Sequence, residues 1–449
     1  MSEKATLDEF TETTVSQERQ ETSIGKLPTD WGVERLKDVV KINPDGFSEE
    51  DWPSETFEYI SLSEVSDGII EDSQTTSLED APSRAQRTVQ LGDVLVGTVR
   101  PKQKSHGFVS EEHDRKICSS GFGVLRPEAR LNSRYLLQEI LSNRFFSQME
   151  AYVAGSGYPA VKISDLKKHR VAIPPLPEQR NIAIVLYTVD RAIGKTEEII
   201  EQVDTLKSGV VQRVFKEGID DHESYQKTKS GEIPDEWEVA RFEEIIADTR
   251  YGTDTKSNTE FNGYPTLRIP NVVNKRITVD DLKYTPLDED ELERLKLKDD
   301  DILIIRTNGN PDYVGRCAIF KERDEPFVFA SYLIRIRVDE SRLRPAYVRE
   351  FLNSPRGRSE MAGWIRSSAG NYNLSVGSIE KFQIPIPSLE EQDKIIEKIT
   401  AFENTIEKNR DYRDRLQRLK RGLMQDLLSG TVRTTNTNIE VPEEIAQHG

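Results

Sequence analysis

The sequence has 449 residues, which at about 150 residues per domain predicts two to four domains. Hydrophobic residues make up 35% and charged residues 31%, and the mean hydropathy is -0.62, which excludes a wholly disordered chain. No apolar run approaches the roughly 18 residues of a membrane span, and the acidic N-terminus lacks the apolar run of a secretory signal. The sequence therefore favours a soluble cytoplasmic protein.

The sulfur and imidazole side chains give no sign of a disulfide framework or a metal site. The two cysteines, Cys118 and Cys317, are far apart in sequence, and there is no C-x-x-C pair. The five histidines are scattered without metal-ligand spacing. We expect neither a metal nor another cofactor.

The charge is unevenly distributed. The net charge of -17 taken alone argues against a nucleic-acid binder, because a phosphate backbone repels an acidic surface. Residues 1–50 hold 6 basic and 12 acidic side chains, however, whereas residues 334–366 hold eight arginines against four acids. Residues 408–421 hold seven basic residues against two acids. Local basic surfaces are therefore available for an anionic partner.

The chain contains an internal duplication. GKLPTDWGVERLKDVV at 25–40 returns as GEIPDEWEVARFEEII at 231–246, and the tryptophans of the two segments, Trp31 and Trp237, are 206 residues apart. IPPLPEQ at 173–179 returns as IPSLEEQ at 386–392. Two copies of one unit, each of about 206 residues, explain both matches. We expect the paired tryptophans to be core anchors rather than stacking platforms.

Each copy has the same order of predicted elements. Short runs rich in Val, Ile and aromatic residues predict strands, at 57–62, 93–99 and 121–125 in the first copy and at 264–269, 301–307 and 332–338 in the second. A helix is predicted next, at 133–144 and at 345–356, followed by a Pro-bounded strand, at 169–177 and at 381–387. Each copy is therefore predicted to be a mixed α/β domain.

A long helix ends each copy. The apolar residues recur at alternating three- and four-residue steps, which is the pattern of a coiled-coil seam. The predicted seams are Ile182, Leu186, Val189, Ile193, Ile200, Val203, Leu206, Val210 and Val214, and Ile395, Ile399, Phe402, Ile406, Leu416, Leu419, Leu423 and Leu427. Because the linker at 218–230 is short and polar, we expect the two helices to pack antiparallel, with the two globular domains at opposite ends.

The duplicated motifs resemble the specificity subunit of type I restriction–modification enzymes. The resemblance rests on LPTDW and IPDEW, on GDVLVGTVRP and DDILIIRTNGNPDYVG, and on PPLPEQ and PSLEEQ, and it covers roughly residues 24–433. It implies that each globular domain is a target recognition domain for one half of a bipartite DNA sequence. It also implies that the helices set the spacer length and dock two copies of a methyltransferase subunit, that restriction subunits join this complex, likewise in two copies, and that the chain has no catalysis of its own.

The resemblance and the repeat together predict an α/β (α+β) fold with pseudo-two-fold symmetry. The predicted segments are a disordered tail at 1–23, target recognition domain 1 at 24–175, spacer helix 1 at 176–217, a linker at 218–230, target recognition domain 2 at 231–388, spacer helix 2 at 389–430 and a flexible tail at 431–449.

Candidate contacts to double-stranded DNA follow equivalent strands in the two copies. VRPKQK at 99–104 and RTNGNP at 306–311 carry basic and amide side chains suited to phosphates and base edges. A second pair of loops, at 154–162 and 368–377, combines glycines with a tyrosine. The candidate residues are Arg100, Lys102, Lys104, Tyr158, Lys162, Arg306, Asn308, Asn310, Asn371 and Tyr372. The alternative for all of them is an ordinary solvated loop.

Each of the two remaining basic groups is open to more than one interpretation. The arginines of 334–366 either face DNA or form an ordinary charged surface, and the basic residues of 408–421 either lie over the spacer DNA, contact the methyltransferase subunits or are simply solvated.

Motifs for catalysis are missing from the sequence. It has no N-P-P-Y or D-P-P-Y methylation motif, no P-loop and no strand-following G-x-G-x-x-G. This counts against a self-contained restriction–methylation enzyme, which is one alternative. The other alternative is a scaffold of two protein-binding domains on a spacer, without any DNA contact.

Overall fold

The computed structural model describes residues 18–48, 50, 52–152, 160–228, 231–368 and 370–435. The chain divides into two compact units. Unit 1 comprises residues 1–197 together with 411–449, and unit 2 comprises residues 198–410. Unit 1 is therefore built from two separate stretches of chain, whereas unit 2 is continuous.

Unit 1 contains a mixed α/β domain. Its strands are β1 (Arg19–Thr22), β2 (Gly25–Pro28), β3 (Gly32–Arg35), β4 (Val40–Ile42), β5 (Thr56–Ile60), β6 (Val65–Ser66), β7 (Ile69–Ile70), β8 (Gln74–Ser77), β9 (Ala85–Thr88), β10 (Val94–Gly97), β11 (His106–Phe108), β12 (Ile117–Ser119), β13 (Phe122–Pro127) and β14 (Arg170–Ile173). Its helices are α1 (Ser133–Leu141), α2 (Asn143–Ala151), α3 (Ile163–Leu166) and the first part of α4 (Leu176–Glu217). Two four-stranded sheets, β11-β10-β13-β4 and β8-β5-β12-β9, form its centre.

Unit 2 repeats this plan. Its strands are β15 (Tyr225–Thr228), β16 (Gly231–Pro234), β17 (Glu238–Arg241), β18 (Ile246–Tyr251), β19 (Tyr264–Leu267), β20 (Lys283–Thr285), β21 (Ile302–Ile305), β22 (Thr307–Asn308), β23 (Cys317–Ile319), β24 (Val328–Phe329), β25 (Leu333–Val338), β26 (Arg366–Ser368), β27 (Asn371–Asn373) and β28 (Gln383–Ile386). Its helices are α5 (Glu289–Leu295), α6 (Pro345–Asn353), α7 (Pro355–Ala362), α8 (Val376–Ile379) and the first part of α9 (Leu389–Leu428). The sheets are β18-β25-β21-β23, β20-β19-β24 and β22-β27-β26.

The sequence predictions for the strands are confirmed, and those for the short helices need one correction. Each of the six apolar runs contains a strand, and β10 and β21 are buried over their whole length. Each predicted short helix is instead two helices, broken at Ser142 and at Ser354. Both serines are extended, and each hydroxyl accepts a hydrogen bond from the first turn of the following helix, at 3.2 and 3.1 Å. Two N-caps at equivalent positions therefore end one helix and begin the next.

The long helices pair antiparallel, as predicted. In unit 1, Lys420 of α9 forms an ion pair with Asp190 of α4 at 2.6 Å. In unit 2, Lys207 of α4 pairs with Glu403 of α9, also at 2.6 Å, and the chain just past α4, at Ile219, donates to Glu391 near the start of α9. As the residue number rises along α4, the number of its contacting residue on α9 falls, which is the pattern of an antiparallel pair. None of the helices in the described ranges is both long and apolar enough to cross a bilayer.

Two residues of the predicted seam were assigned wrongly. Leu206 and Leu419, at equivalent positions, are 60% and 51% exposed. The seam passes instead through the next residue of each helix, Lys207 and Lys420, whose side chains are mostly covered and form the ion pairs between the helices. The sequence alone does not fix whether the next seam residue lies three or four positions further along a helix, because both positions lie close to the seam. The correction leaves an apolar residue on the outer surface of each helix.

A buried hydrogen-bonded cluster joins the start of each long helix to its domain. In unit 1, the indole of Trp31 donates to Glu178 at 3.0 Å, and Arg433 bridges Glu178 and Asp30 at 2.6 Å from each. We call these four residues the Trp31 cluster. Both oxygens of Glu178 are thereby bonded, which is the condition for keeping a buried carboxylate charged.

The equivalent cluster in unit 2 has a different cation. Trp237 donates to Glu391 at 2.9 Å, and His222 lies between Glu391 and Glu236, at 2.9 and 3.0 Å. We call these four residues the Trp237 cluster. Both tryptophans are 2% exposed, so they are core anchors, as expected.

The segments expected to be disordered or flexible are partly structured. Arg19–Thr22 form β1 and pair with β2, and Tyr225–Thr228 form β15 within the presumed linker. Beyond α9, Arg433 is held by the Trp31 cluster, and the backbone of Thr434 donates to Glu178. The stretches after α4 and α9 contribute His222 and Arg433 to the clusters at the helix starts, a role that composition does not reveal.

The Trp237 cluster should make unit 2 less stable as pH rises above 6, whereas the Trp31 cluster, whose cation is an arginine, should have no such effect on unit 1. Burial lowers the pKa of His222, but its bonds to Glu391 and Glu236 raise the pKa more, so it lies above its ordinary value. The charged histidine stabilises the fold fully below its unfolded pKa of about 6.5, and this contribution is lost as pH rises through the folded pKa. We expect hydrogen exchange at 231–241 to accelerate from pH 6 to 8.5 relative to 25–35, after correction for intrinsic rates.

Two substitutions make this test specific. His222→Arg should remove the pH dependence at 231–241, and Arg433→His should create it at 25–35. An unchanged pH dependence in the His222→Arg variant would show that another group is responsible.

Candidate nucleic-acid interface

In unit 1, the two predicted loops lie against each other. The backbone NH of Val161 donates to the carbonyl of Thr98 at 2.8 Å, and Val99 forms a β-bridge with Ala160. The loop that follows β10 and the segment that precedes α3 therefore form one surface, although they are far apart in sequence.

The candidate cations of unit 1 lie on this surface. Arg100 and Lys104, with φ of 49° and 51°, flank a single 3-10 turn at Pro101–Gln103. Arg100 and Lys102 are exposed, as is Lys162 at the N-cap of α3. This arrangement gathers several positive charges in a chain whose net charge is negative.

Two of these cations have local contacts. The Lys102 ammonium lies 3.7 Å from Glu150, and the Lys104 ammonium lies 5.2 Å from the centre of the Phe146 ring. The adjacent His106 contributes no charge, since burial, with the nearby Lys104, lowers its pKa to about 4. Lys102 is so exposed that its ion pair stabilises the fold little, which leaves its charge available to an anion. Tyr158, the remaining candidate of this unit, lies outside the described residues.

In unit 2, the corresponding loops form a small sheet. The NH of Leu374 donates to the carbonyl of Arg306 at 2.8 Å, in the same way as Val161 and Thr98 in unit 1. The loop then continues as β22, in which Asn308 lies opposite Tyr372 of β27, and β26 pairs with the other edge of β27. Arg306, Asn308, Asn371 and Tyr372 are thus brought together by backbone pairing.

The asparagines of this loop stabilise its conformation. The Asn308 side-chain oxygen accepts from the NH of Asn310 at 2.8 Å, and the Asn310 oxygen accepts from the NH of Asp312 at 2.9 Å. Within the described part of the chain, neither side-chain NH2 group donates a hydrogen bond to another residue. These amides therefore present donors to solvent, and donors suit phosphate oxygens or the acceptor atoms of purines.

Arg306 is held by an aromatic ring. Its guanidinium stacks on Tyr251, 4.6 Å from the ring centre, and donates to the carbonyl of Ser331 at 3.4 Å. The Tyr251 hydroxyl in turn accepts from the NH of Val376 at 3.0 Å, near the end of the second loop. Arg306 is half-buried and links both loops, so it contributes a fixed positive charge rather than a mobile one.

Sequence reasoning missed two aromatic residues of this surface. Tyr251 and Tyr332 are 39% and 56% exposed, and the Tyr332 carbonyl accepts from the NH of Arg306 at 3.0 Å. Exposed tyrosines at strand ends are a usable signal, but their proximity to Arg306 depends on strands that are distant in sequence.

Most arginines of 334–366 are structural. Arg335 is 2% exposed and pairs with Asp248, and Arg337 pairs with Asp301. The others with carboxylate or carbonyl partners within the unit are Arg342, Arg344, Arg349, Arg356 and Arg358. Arg366, on β26, is exposed and donates to the carbonyl of Gly363. The interpretation of this run as a DNA-facing surface is therefore wrong for Arg335 and Arg337, which neutralise acidic residues of the same unit.

The described residues offer no group of three or more His, Cys, Asp or Glu side chains that could hold a metal ion. Cys118 and Cys317 are buried and unpaired, and burial raises the pKa of each thiol to about 12. Neither thiol is therefore poised as a nucleophile at neutral pH.

Comparison with known proteins identifies a family match in both halves. The sequence model of the type I restriction modification DNA specificity domain matches residues 28–205 and 234–418. The chain is 26% identical over 353 residues to the type I restriction enzyme EcoKI specificity subunit of Escherichia coli K12, covering 74% of each. It is 25% identical over 429 residues to the MjaVIII specificity subunit of Methanocaldococcus jannaschii, covering 92% of this chain and 95% of that protein.

Solved structures have the same fold. A chain from a study of complex assembly and conformational transition of the type I R-M system aligns with a TM-score of 0.57 and 21% identity, covering 90% of this chain and 99% of that one. The S subunit of a type I restriction-modification system from M. genitalium aligns with a TM-score of 0.55 and 14% identity, covering 88% and 96%. At these identities the likeness concerns the fold alone.

Replacing Asn308 and Tyr372 together by alanine should weaken DNA binding. Each good side-chain contact to a base or sugar contributes about 1–3 kcal/mol, so we expect a loss of about 30-fold or more in affinity for target DNA, as measured by fluorescence anisotropy. The Tyr372 ring also packs against the core of unit 2, so the unfolding midpoint should fall, and binding is compared at a temperature at which both proteins are fully folded.

Tyr225→Ala is the matched control, because Tyr225 is exposed in the same unit but lies on β15. If the control and the double variant lost DNA affinity equally, the assignment of these loops to DNA binding would be wrong.

Proposed function

The chain belongs to the type I restriction modification DNA specificity family, and from this premise we propose that it selects the DNA sequence on which a type I restriction–modification complex acts. The observation that supports this most directly is the duplication. Two family domains occur in one chain, and each brings an equivalent pair of loops together behind a buried strand. Two readers in one chain suit a target made of two half-sites.

We assign one half-site to each domain. Residues 24–175 and 231–388 are the proposed target recognition domains, and Arg100, Lys102, Lys104, Tyr158 and Lys162 are the candidate contacts of the first. Arg306, Asn308, Asn310, Asn371 and Tyr372 are those of the second. The helices at 176–217 and 389–430 set the unread spacer between the half-sites. Charged and amide side chains on loops can specify a base while a rigid scaffold positions them.

The proposed role includes no catalysis. We place the protein in the cytoplasm, where it would position DNA while the chemistry falls to partner subunits, namely methyltransferase subunits and restriction or translocase subunits, each in two copies. The chain itself needs no cofactor for this role.

The outer surfaces of the long helices support docking of two identical partners. Ile199, Leu206 and Gly209 are exposed on α4, and Tyr412, Leu419 and Gly422 are exposed at the equivalent positions of α9. We call each set of three a docking stripe.

The glycines of the two docking stripes indicate that the partner contributes a helix. A Cβ at Gly209 or at Gly422 would have no atom within 4 Å, so this chain does not itself require glycine at either position. Glycine within a helix costs about 1 kcal/mol relative to alanine. Its presence in both repeats beside an exposed leucine favours close approach of a helix from a methyltransferase subunit, one copy for each docking stripe.

Adenine methylation across the genome tests the reading function. Deleting this gene should abolish methylation at one bipartite motif, and exchanging residues 24–175 for the same domain of another family member should change one half-site only. Methyl transfer to DNA by the purified chain alone, with S-adenosylmethionine, would refute a non-catalytic role. An unchanged motif after the exchange, despite an active methyltransferase, would refute the reading function.

Charge placed on one docking stripe should remove one partner copy. Leu206→Glu or Leu419→Glu should reduce the complex from two methyltransferase subunits to one, and the double variant should bind none, as measured by native mass spectrometry. Each leucine is already exposed, so folding should be unaffected. Ser208→Glu, exposed on α4 but outside the docking stripe, is the control. Full assembly by the double variant would exclude this surface.

A further inference from the structure

The two long helices differ in charge at equivalent exposed positions. Arg415, Arg418 and Arg421 of α9 correspond, 213 residues earlier, to Gln202, Thr205 and Ser208 of α4. All six are at the surface, so no buried partner requires the difference. The repeat therefore forms its helix pair with neutral residues at these places, and the arginines are an addition specific to α9.

Contacts within the chain do not account for Arg418 and Arg421. Among the described residues, neither forms an ion pair, and Asp414, which is four residues before Arg418 on the same helix, is bonded to Arg413 at 2.8 Å. Three arginines at successive three-residue steps also repel one another by a few tenths of a kcal/mol per pair. Both residues precede the last turn of α9, where the helix dipole would favour a cation.

Arg415 requires a separate assignment. It lies between Tyr412 and Leu419 on the docking stripe of α9, at the position that Gln202 occupies on α4. Arg418 and Arg421 lie progressively further round the helix, away from that stripe and from the seam at Lys420. The two arginines are thus left facing solvent beside the proposed protein interface.

We propose that Arg418 and Arg421 bind phosphate groups of the DNA duplex between the two half-sites. The inference rests on the proposed function, which makes DNA the polyanion available to this chain. The spacer is not read, so its chemistry must be sequence-independent, and arginine–phosphate contacts are of that kind. A cationic site on a chain of net charge -17 also offsets repulsion from the backbone where no base contact compensates for it.

The test uses the assembled methyltransferase complex and a duplex that contains the target mapped by methylation. Arg418→Thr/Arg421→Ser gives α9 the residues that α4 already tolerates. The slope of log K against log[KCl] is negative, and loss of two phosphate contacts should reduce its magnitude by about 1.8. Between 50 and 200 mM KCl the wild-type complex should therefore lose about 12-fold more affinity than the variant. Ethylation of spacer phosphates should weaken binding of the wild type but not of the variant.

Lys398→Gln is the control, because it removes an exposed cation from the same helix but lies outside both the docking stripe and the proposed phosphate site. Its slope should equal that of the wild type. The proposal is overturned if the double variant keeps the wild-type slope, if Lys398→Gln changes the slope as much as the double variant does, or if the double variant loses methyltransferase subunits instead. Failure of the proposed function is distinguishable, since the wild-type complex would then not prefer the target duplex to a scrambled one.

Discussion

A carboxylate near the start of each long helix is the constraint on which the rest of the structure depends. Glu178 and Glu391 are buried, so each must find a cation and hydrogen-bond donors inside the protein. The donors come from the opening segment of the domain, through a tryptophan, and the cation comes from the chain that has just left the other long helix. One charge thereby fixes the domain, its own helix and the end of the second helix in one place.

The same constraint explains why composition misjudged the polar ends of the repeats. The stretches after α4 and α9 were interpreted as a linker and a tail, because polar residues predominate in them. Their order comes from His222 and Arg433, whose partners lie 169 and 255 residues away in sequence. A single side chain that neutralises a buried acid leaves no periodic pattern, so no sequence signal marks it.

Elements that depend on residues close together in sequence were predictable, and contacts between residues far apart in sequence were not. The duplication, the buried strands and the long helices follow from motifs and apolar runs, and the structure has them. The order of three- and four-residue steps near Leu206 and Leu419 depends on which side faces the partner helix. The loop pairs of the candidate interface were found singly, because each follows a recognisable strand. That Asn308 faces Tyr372, and that Arg306 stacks on Tyr251, depends on strand pairing across the chain.

The discontinuity of unit 1 has a consequence for biosynthesis. Its first stretch ends at residue 197 and its second begins at residue 411, and Leu427 and Leu428 of α9 complete the core around Trp31. At about 5–20 residues per second, a ribosome needs about 10 to 40 s to make the intervening stretch. During that interval the N-terminal domain carries an open apolar surface and an unneutralised Glu178. Unit 2, in contrast, is one continuous stretch of chain and does not depend on a later segment. The half of the protein that is synthesised first is therefore the half that finishes folding last, and it is the half that most needs a chaperone on the nascent chain.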